Sequence, residues 1–315
     1  MLSKSSRSVS LLVLLFAFGC KEEAVDPWIN FTPFTVSYDT YHLAESASFT
    51  AQGENHGLID FTNELSGLAE SKMNANALWA HADSGNPDFI YLVDQTTGKL
   101  KASYRINGVT NDDWEDIAVG PGPKAGVSYI YLADIGDNKS ERSQHIIYRF
   151  PEPLYATAHE GKTIDITLEV DKIIFNYSDG RYNAETLLLD PIERDLYIVT
   201  KYGAQSYLFV ARYPQPVNEL VTLTKVGAFP FRETTAGDIS SDGKRVLIKT
   251  YDQIFYWNTS QVQPIWKLLS QTPELAPYHP MEAQGEAIAW SSNGYYTSSE
   301  KKGSAIPPLY FYSFK

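Results

Sequence analysis

A short motif recurs five times along this chain, and this repeat restricts the possible folds more than any other feature. Each copy has a short strand, a turn rich in Gly, Asp, Pro or Asn, and a second strand of aromatic or β-branched residues. The separations between aligned positions are 49, 70, 52 and 49 residues. A period of about 50 residues with three or four strands per copy is typical of a β-propeller. The first aligned residues of the five copies are Ser66, Glu115, Glu185, Gly237 and Glu286.

We therefore predict an all-β chain with a single β-propeller domain over residues 36–315. Five blades are favoured, and six stay open if residues 36–62 supply more than one strand. The last copy ends after its third strand, so we expect an N-terminal strand from residues 35–38 or 58–61 to close the ring and remove an open edge. A β-sandwich with a second domain is the rival fold, but it does not predict a repeated strand pair with matched acidic positions.

The N-terminal residues carry a targeting signal and are excluded from the fold. Two basic residues precede an apolar run over residues 11–18, which is too short to span a bilayer. Cys20, the only cysteine of the chain, follows Gly19 directly. This arrangement resembles the lipobox of bacterial lipoproteins, in which the signal is removed just before a cysteine that becomes diacylated. We predict a signal peptide over residues 1–19, a lipidated Cys20 and a linker that ends at residue 35.

The same region predicts where the protein is located. Residues 21–23, Lys-Glu-Glu, resemble the export tag of surface-displayed lipoproteins, so we expect an outer-membrane lipoprotein exposed at the cell surface. The alternative is ordinary secretion with an incidental cysteine. A net charge of −12 argues against binding to nucleic acid or to an anionic membrane surface. We therefore expect the protein to contact the membrane only through its lipid anchor. We also expect it to be a monomer.

Acidic residues should converge at one mouth of the central channel. Consecutive strands of a blade are antiparallel, so the start of the first strand and the end of the second meet at one face. Like charges that converge there need a counter-charge, which Lys201 and Lys249 supply in part and a Ca²⁺ ion would complete. The predicted Ca²⁺ ligands are Glu115, Asp134, Glu185 and Glu286. Further ligand-binding candidates are His81, Asp83, Asp137, Arg142 and Glu300.

Each of these acids also has a structural interpretation. Acids on the inner strands of propellers often accept hydrogen bonds from backbone N–H groups of the neighbouring blade. On this interpretation a carboxylate joins two blades and binds no metal. The sequence leaves both interpretations open.

Four segments resemble the repeated elements of secreted bacterial propellers. They cover residues 64–69, 114–118, 134–138 and 284–289, and the groups they resemble are the SdiA-regulated propeller proteins and the esterase-like phytase domain. The resemblance implies a soluble extracytoplasmic propeller with an axial site suited to calcium. It implies no particular reaction, and the basic cluster that a phytase uses to hold phosphate is not evident in the sequence.

Two functions stay open at this stage. The favoured one is a non-catalytic module that presents the mouth to a small-molecule or surface ligand. The alternative is a calcium-dependent hydrolase of an ester, lactone or phosphoester, although the sequence contains neither a Gly-x-Ser-x-Gly motif nor a His-Glu-x-x-His motif. The catalytic candidates for that alternative are Glu115, Glu286, Lys201 and Lys249.

Overall fold

The computed structural model of the chain describes residues 26–29 and 31–315. The predicted signal peptide, Cys20 and the first residues of the linker lie outside the described residues. The chain divides into two compact units, Met1–Phe31 and Thr32–Lys315. In the first unit, the described residues form a turn in which the Ile29 amide donates to the Asp26 carbonyl at 3.0 Å. All described strands lie in the second unit.

The described strands pair in four sheets, of nine, five, four and four strands. Within these sheets we distinguish five antiparallel groups of four strands, which we call blades 1 to 5; the nine-stranded sheet contains blades 2 and 3. Two strands precede blade 1 in the chain, β1 (Phe34–Thr35) and β2 (Glu54–Leu58). Blade 1 comprises β3 (Leu65–Glu70), β4 (Ala77–Ala82), β5 (Ile90–Asp94) and β6 (Leu100–Ile106). Blade 2 comprises β7 (Trp114–Pro121), β8 (Ser128–Asp134), β9 (His145–Pro151) and, after β10 (Thr163–Ile166), β11 (Asp171–Tyr177). Blade 3 comprises β12 (Ala184–Leu189), β13 (Leu196–Thr200), β14 (Ser206–Ala211) and β15 (Leu220–Phe229).

The last two blades complete the second unit. Blade 4 comprises β16 (Thr234–Ile239), β17 (Arg245–Thr250), β18 (Ile254–Asn258) and, after helix α1 (Ile265–Leu269), β19 (Glu274–Ala276). Blade 5 comprises β20 (Gly285–Ser291), β21 (Gly294–Ser299), β22 (Pro308–Ser313) and the N-terminal strand β2. A short 3₁₀ turn covers Thr157–His159. None of the helices within the described ranges is long and apolar enough to cross a membrane.

The first strands of the blades surround a central channel. Each contacts the first strand of the next blade, and β20 of blade 5 returns to β3 of blade 1. These strands are buried on both faces, as in β12, where all six residues are buried. Apolar cores fill the spaces between neighbouring blades; Trp79 of blade 1, for example, packs in one cluster with Ile130 and Leu132 of blade 2. The closed cycle of first strands confirms the predicted β-propeller fold.

An N-terminal strand closes the ring as predicted, and it overlaps the predicted segment 58–61 at Leu58 alone. Strand β2 pairs antiparallel with β22 and becomes the outer strand of blade 5. Strand β2 is mostly polar and exposed, as suits an outer edge. Strand β1 instead pairs parallel with β15 of blade 3, where the Phe34 ring occupies the space that a Cβ on Gly227 would need.

Candidate functional site

A β-bulge near the start of every first strand directs side chains toward one end of the channel, which we call the acidic mouth. In each blade the pairing with the second strand shifts by one residue and leaves one residue unpaired. A bulge bends its strand and re-aims the side chain of the extra residue. Three of the five bulged residues are glutamates, so carboxylates from blades 2, 3 and 5 converge. The bulged residues are Ser66, Glu115, Glu185, Thr235 and Glu286.

The predicted alignment of blade 4 is wrong by two residues. Thr235, and not Gly237, occupies the bulge. Its hydroxyl donates to the Gly285 carbonyl at 2.9 Å and links blade 4 to blade 5. Ser66 has the same role in blade 1, where its hydroxyl donates to the Glu115 carbonyl at 3.2 Å. In these two blades a hydroxyl that bonds the next blade therefore replaces the glutamate.

Lys201, directly after β13, is the central cation of the acidic mouth. Its ammonium group forms an ion pair with Glu185 and lies 3.8 Å from Oε1 of Glu286. It also donates to the Tyr251 hydroxyl at 2.8 Å, and Tyr251 donates to Glu286 Oε1 at 2.7 Å. Burial alone would lower the pKa of Lys201, but attraction to the two glutamates raises it above its usual value. The lysine therefore remains charged and balances part of the acidic mouth.

The acids of the mouth outnumber this cation. Burial, with repulsion from Glu185 and Asp83, raises the pKa of Glu115 well above its usual value. Burial raises the pKa of Glu185 to about 8, although Lys201 opposes this shift. Burial and the neighbouring Glu286 raise the pKa of Glu300 to about 8. Burial is the largest cause of all three pKa shifts, and repulsion among the acids adds to it. A bound cation would favour the ionised form of these acids.

Three carboxylates lie close enough to share one cation. Asp83, Asp113 and Glu115 each offer an oxygen within 4.8 Å of the others. Asp83 follows β4 of blade 1, and the other two stand at the start of β7 in blade 2. Gly136 makes their approach possible, since a Cβ there would lie 2.2 Å from Glu115 Oε1 and 2.3 Å from Asp113 Oδ2. Carboxylate oxygens in such a group are a donor set for a hard cation such as Ca²⁺. We call these three residues the carboxylate cluster.

Of the four predicted Ca²⁺ ligands, only Glu115 belongs to the carboxylate cluster. Glu185 pairs with Lys201, and Glu286 accepts from Tyr251. Asp134 forms an ion pair with Arg142 at 2.7 Å. Its other oxygen accepts the backbone N–H of Asp112 at 3.2 Å.

The predicted candidates Asp137 and Arg142 bind mainly to their own loop. The Asp137 carboxylate accepts the backbone N–H groups of Glu141 at 2.8 Å and Arg142 at 2.9 Å. The Arg142 guanidinium donates to the Gly136 carbonyl at 2.8 Å as well as pairing with Asp134. These contacts fix the loop that carries Gly136 against the carboxylate cluster, so the two residues support the site from outside.

His81 and Lys249, two further candidates, are fully buried. Burial lowers the pKa of His81 to about 4, which keeps the ring neutral, and its Nε2 lies against Gly67 of the neighbouring strand. The Lys249 ammonium donates to the carbonyls of Gly285 at 2.7 Å and Thr250 at 2.9 Å. Burial lowers the pKa of Lys249 to about 8. Their positions favour structural roles beneath the mouth.

Two other acids, Asp116 and Asp238, join blades along the channel. Asp116 of blade 2 accepts the backbone N–H of Leu187 in blade 3 at 2.8 Å. Asp238 of blade 4 accepts the backbone N–H of Trp290 in blade 5 at 2.7 Å. For Asp116 and Asp238 the structure therefore supports the interpretation in which a carboxylate joins two blades.

Sequence reasoning missed two residues of the mouth, Asp113 and Tyr251. Both stand one residue outside a strand, Asp113 before β7 and Tyr251 after β17. The argument that placed strand ends at one mouth applies equally to the residues that flank those ends. Extending each repeat by two residues before its first aligned residue, and by one residue after its second strand, would have included both.

Comparisons with known proteins give only distant structural similarities. No model of a known protein family matches the sequence, and no curated protein matches it. Among solved structures, a nidogen/laminin complex is 10% identical with a TM-score of 0.43, covering 75% of this chain and 72% of that chain. The Dos1 propeller is 12% identical with a TM-score of 0.35, covering 79% and 68%. The propeller domain of Cps50 (Swd1) from Myceliophteria thermophila is 13% identical with a TM-score of 0.39, covering 80% and 83%.

At this level of similarity the solved structures do not bear on function. The resemblance to the SdiA-regulated and esterase-like phytase groups stays a prediction, because no family model matches. The β-propeller itself provides a scaffold for binding a ligand or a partner, with loops from several blades gathered at each end of the channel.

Proposed function

We propose that this protein is a binding module that holds a Ca²⁺ ion between Asp83, Asp113 and Glu115 and presents it to a small-molecule or surface ligand. The observation that carries the proposal is the approach of these three carboxylates to within 4.8 Å. Lys201, the central cation of the mouth, pairs with Glu185. A divalent ion would add positive charge directly between the three carboxylates of the cluster.

The surroundings of the cluster suit a ligand that reaches the ion from solvent. Tyr202, directly after Lys201, is 48% exposed, and the Lys201 ammonium lies 5.5 Å from the centroid of its ring. An exposed aromatic ring beside a polar site offers a flat apolar surface with a hydrogen-bonding end. A ligand could therefore coordinate the ion through an oxygen while its apolar part packs against Tyr202.

The proposal includes the location predicted from the sequence. Diacylation of Cys20 would give durable attachment, because stable anchoring requires more than one acyl chain. The propeller would then act outside the cytoplasm as a monomer on a lipid anchor. Its net charge of −12 supports the absence of nucleic acid among its partners.

Calorimetric titration of Ca²⁺ into the wild type and three variants tests the site. We expect saturable binding in the wild type and its loss in Asp113→Asn and Glu115→Gln, which keep the shape of each side chain and remove its charge. Asp112→Asn is the matched control, since Asp112 is adjacent but its side chain is 80% exposed. Ca²⁺ at a hundredfold excess over its Kd should also stabilise the wild type by about 2.7 kcal/mol. A titration without saturable heat, or Ca²⁺ binding in Asp113→Asn equal to that of the wild type, would refute the proposed metal site.

A calcium-dependent hydrolase remains the alternative to a binding module. It would use the same ion to polarise an ester, lactone or phosphoester, with Glu115 or Glu286 as the base. A panel of such substrates with and without Ca²⁺ distinguishes the two functions. Turnover that requires Ca²⁺ and is lost in Glu286→Gln would show that the protein is a hydrolase and would refute the non-catalytic binding module.

A further inference from the structure

A cavity of about 650 Å³ lies at the end of the channel opposite the acidic mouth. All five blades line it, because the last residues of each first strand contribute to its wall. A strand rises about 3.3 Å per residue, so Trp290 lies about 13 Å along β20 from Glu286 at the acidic mouth. This opposite cavity is therefore separate from the carboxylate cluster. Its residues from the ends of the five first strands are Ala69, Val119, Leu189, Ile239 and Trp290.

Asp238, a partly buried residue of blade 4, lies in the wall of the opposite cavity. Its two oxygens accept the backbone N–H groups of Ile239 and Trp290, both at 2.7 Å. An ionised carboxylate has about four acceptor positions. Two of them are used here, so the oxygens can accept further hydrogen bonds from a ligand.

The charged residues at the rim of the cavity pair with one another. Lys72 lies 2.7 Å from Glu70, and Arg245 lies 3.7 Å from Asp242. Each rim cation thus has a rim acid beside it, while the closest contacts of the Asp238 carboxylate are backbone amides. The cavity is consequently complementary to a ligand that carries a positive charge.

We propose that the opposite cavity binds a small organic amine. Its ammonium group donates to the Asp238 carboxylate, and its apolar body packs against Val119, Leu189 and Trp290. The volume agrees with that of typical small-molecule sites, about 300–1,000 Å³. A carboxylate at this position repels anionic ligands, and a neutral ligand of the same shape forgoes the charge-assisted hydrogen bond.

The charge of Asp238 gives this binding a pH dependence. Burial raises the pKa of Asp238 to about 7, while Lys72 opposes the shift and Glu70 adds to it. The other charged groups near it are Asp116 on β7, and Arg245 and Asp242 at the rim. The ionised fraction of such a group rises about tenfold between about pH 6 and pH 8. The affinity for an amine that stays protonated over this range should rise by a similar factor.

Titration with 2-phenylethylamine, compared with the neutral 2-phenylethanol, tests the proposal. Both titrations are done with Ca²⁺ present, so that the carboxylate cluster does not compete for the amine. We expect saturable amine binding that is at least about tenfold tighter than alcohol binding, the amount that a charge-assisted hydrogen bond provides. Equal binding of the two compounds, or no saturable amine binding, would overturn the proposal.

Three variants locate the binding. Asp238→Asn should weaken amine binding by about tenfold or more. Asp165→Asn is the control, because Asp165 is an exposed acid that pairs with Arg105 and does not line the cavity, and it should bind the amine as the wild type does. Val119→Trp, which fills the cavity and leaves Asp238 intact, provides a second test if Asp238→Asn fails to fold. Amine binding that persists in Val119→Trp would place the amine elsewhere and overturn the proposal.

Discussion

Replacing Asp116 by alanine should destabilise the propeller by several kcal/mol, because this fully buried carboxylate connects three blades. It accepts the backbone N–H of Ile117 in its own blade at 2.9 Å and that of Leu187 in blade 3 at 2.8 Å. The backbone N–H of Gly237 in blade 4 also donates to it.

The magnitude follows from the amides that the substitution leaves without an acceptor. The N–H groups of Leu187 and Gly237 belong to other blades, and each buried donor that loses its partner costs about 1–3 kcal/mol. Burial raises the pKa of Asp116 well above its usual value, so removing the carboxylate also removes an unfavourable buried charge. This gain offsets part of the loss, and we expect a net destabilisation of about 2–4 kcal/mol.

Thermal unfolding followed by circular dichroism measures this effect. For a domain of this size a change of about 2–4 kcal/mol corresponds to a fall in Tm of about 4–8 °C. Glu169→Ala is the control, because Glu169 forms only an exposed ion pair with Lys124 and should change stability by less than about 0.5 kcal/mol. The reasoning fails if Asp116→Ala melts within about 1 °C of that control.

Three further predictions concern separate parts of the chain. Burial raises the pKa of Asp195 to about 6, above its unfolded value, so the folded state binds the proton more tightly and stability falls as the pH rises from about 4 to about 6. Asp195→Asn keeps an acceptor for the Tyr213 amide. In urea unfolding it should therefore match the stability of the wild type at about pH 3.5 and exceed it at about pH 7.5 by at most about 3 kcal/mol. Equal stabilities of variant and wild type at both pH values would contradict this prediction. Cys20→Ser should abolish labelling by fatty acid and release the protein from the membrane fraction, and continued labelling would refute lipidation. Gly136→Ala should displace the carboxylate of Glu115 and weaken Ca²⁺ binding in calorimetry, whereas unchanged affinity would count against the cluster.

The repeat in the sequence predicted the fold because every blade uses the same strand order and nearly the same spacing. Glu115, Glu185 and Glu286 were correctly placed at equivalent positions, since each stands at the start of an apolar first strand. Blade 4 was misaligned because Gly237-Asp238 imitates the pattern of an opening residue followed by an acid. The bulge at Thr235 depends on pairing with the second strand, and that pairing is not visible in one strand alone.

The composition of the carboxylate cluster could be predicted only in part. Glu115 and Asp83 follow from the repeat, but Asp113 lies in a loop outside it. Its approach to Glu115 depends on Gly136, which is distant in sequence and leaves room for both carboxylates. The pairing of Asp134 with Arg142 likewise depends on the path of a loop. Such contacts arise from loop geometry, which strand periodicity does not determine.

The position of a bound cation tests the central claim most directly. Crystals grown with Ca²⁺, or with a lanthanide in its place, would reveal the ion as a peak in an anomalous difference map. We predict one peak at the acidic mouth, with oxygens of Asp83, Asp113 and Glu115 at about 2.3–2.6 Å from a Ca²⁺ ion. A peak coordinated by Glu185 and Glu286 instead, or no peak at the acidic mouth at saturating Ca²⁺, would contradict the account.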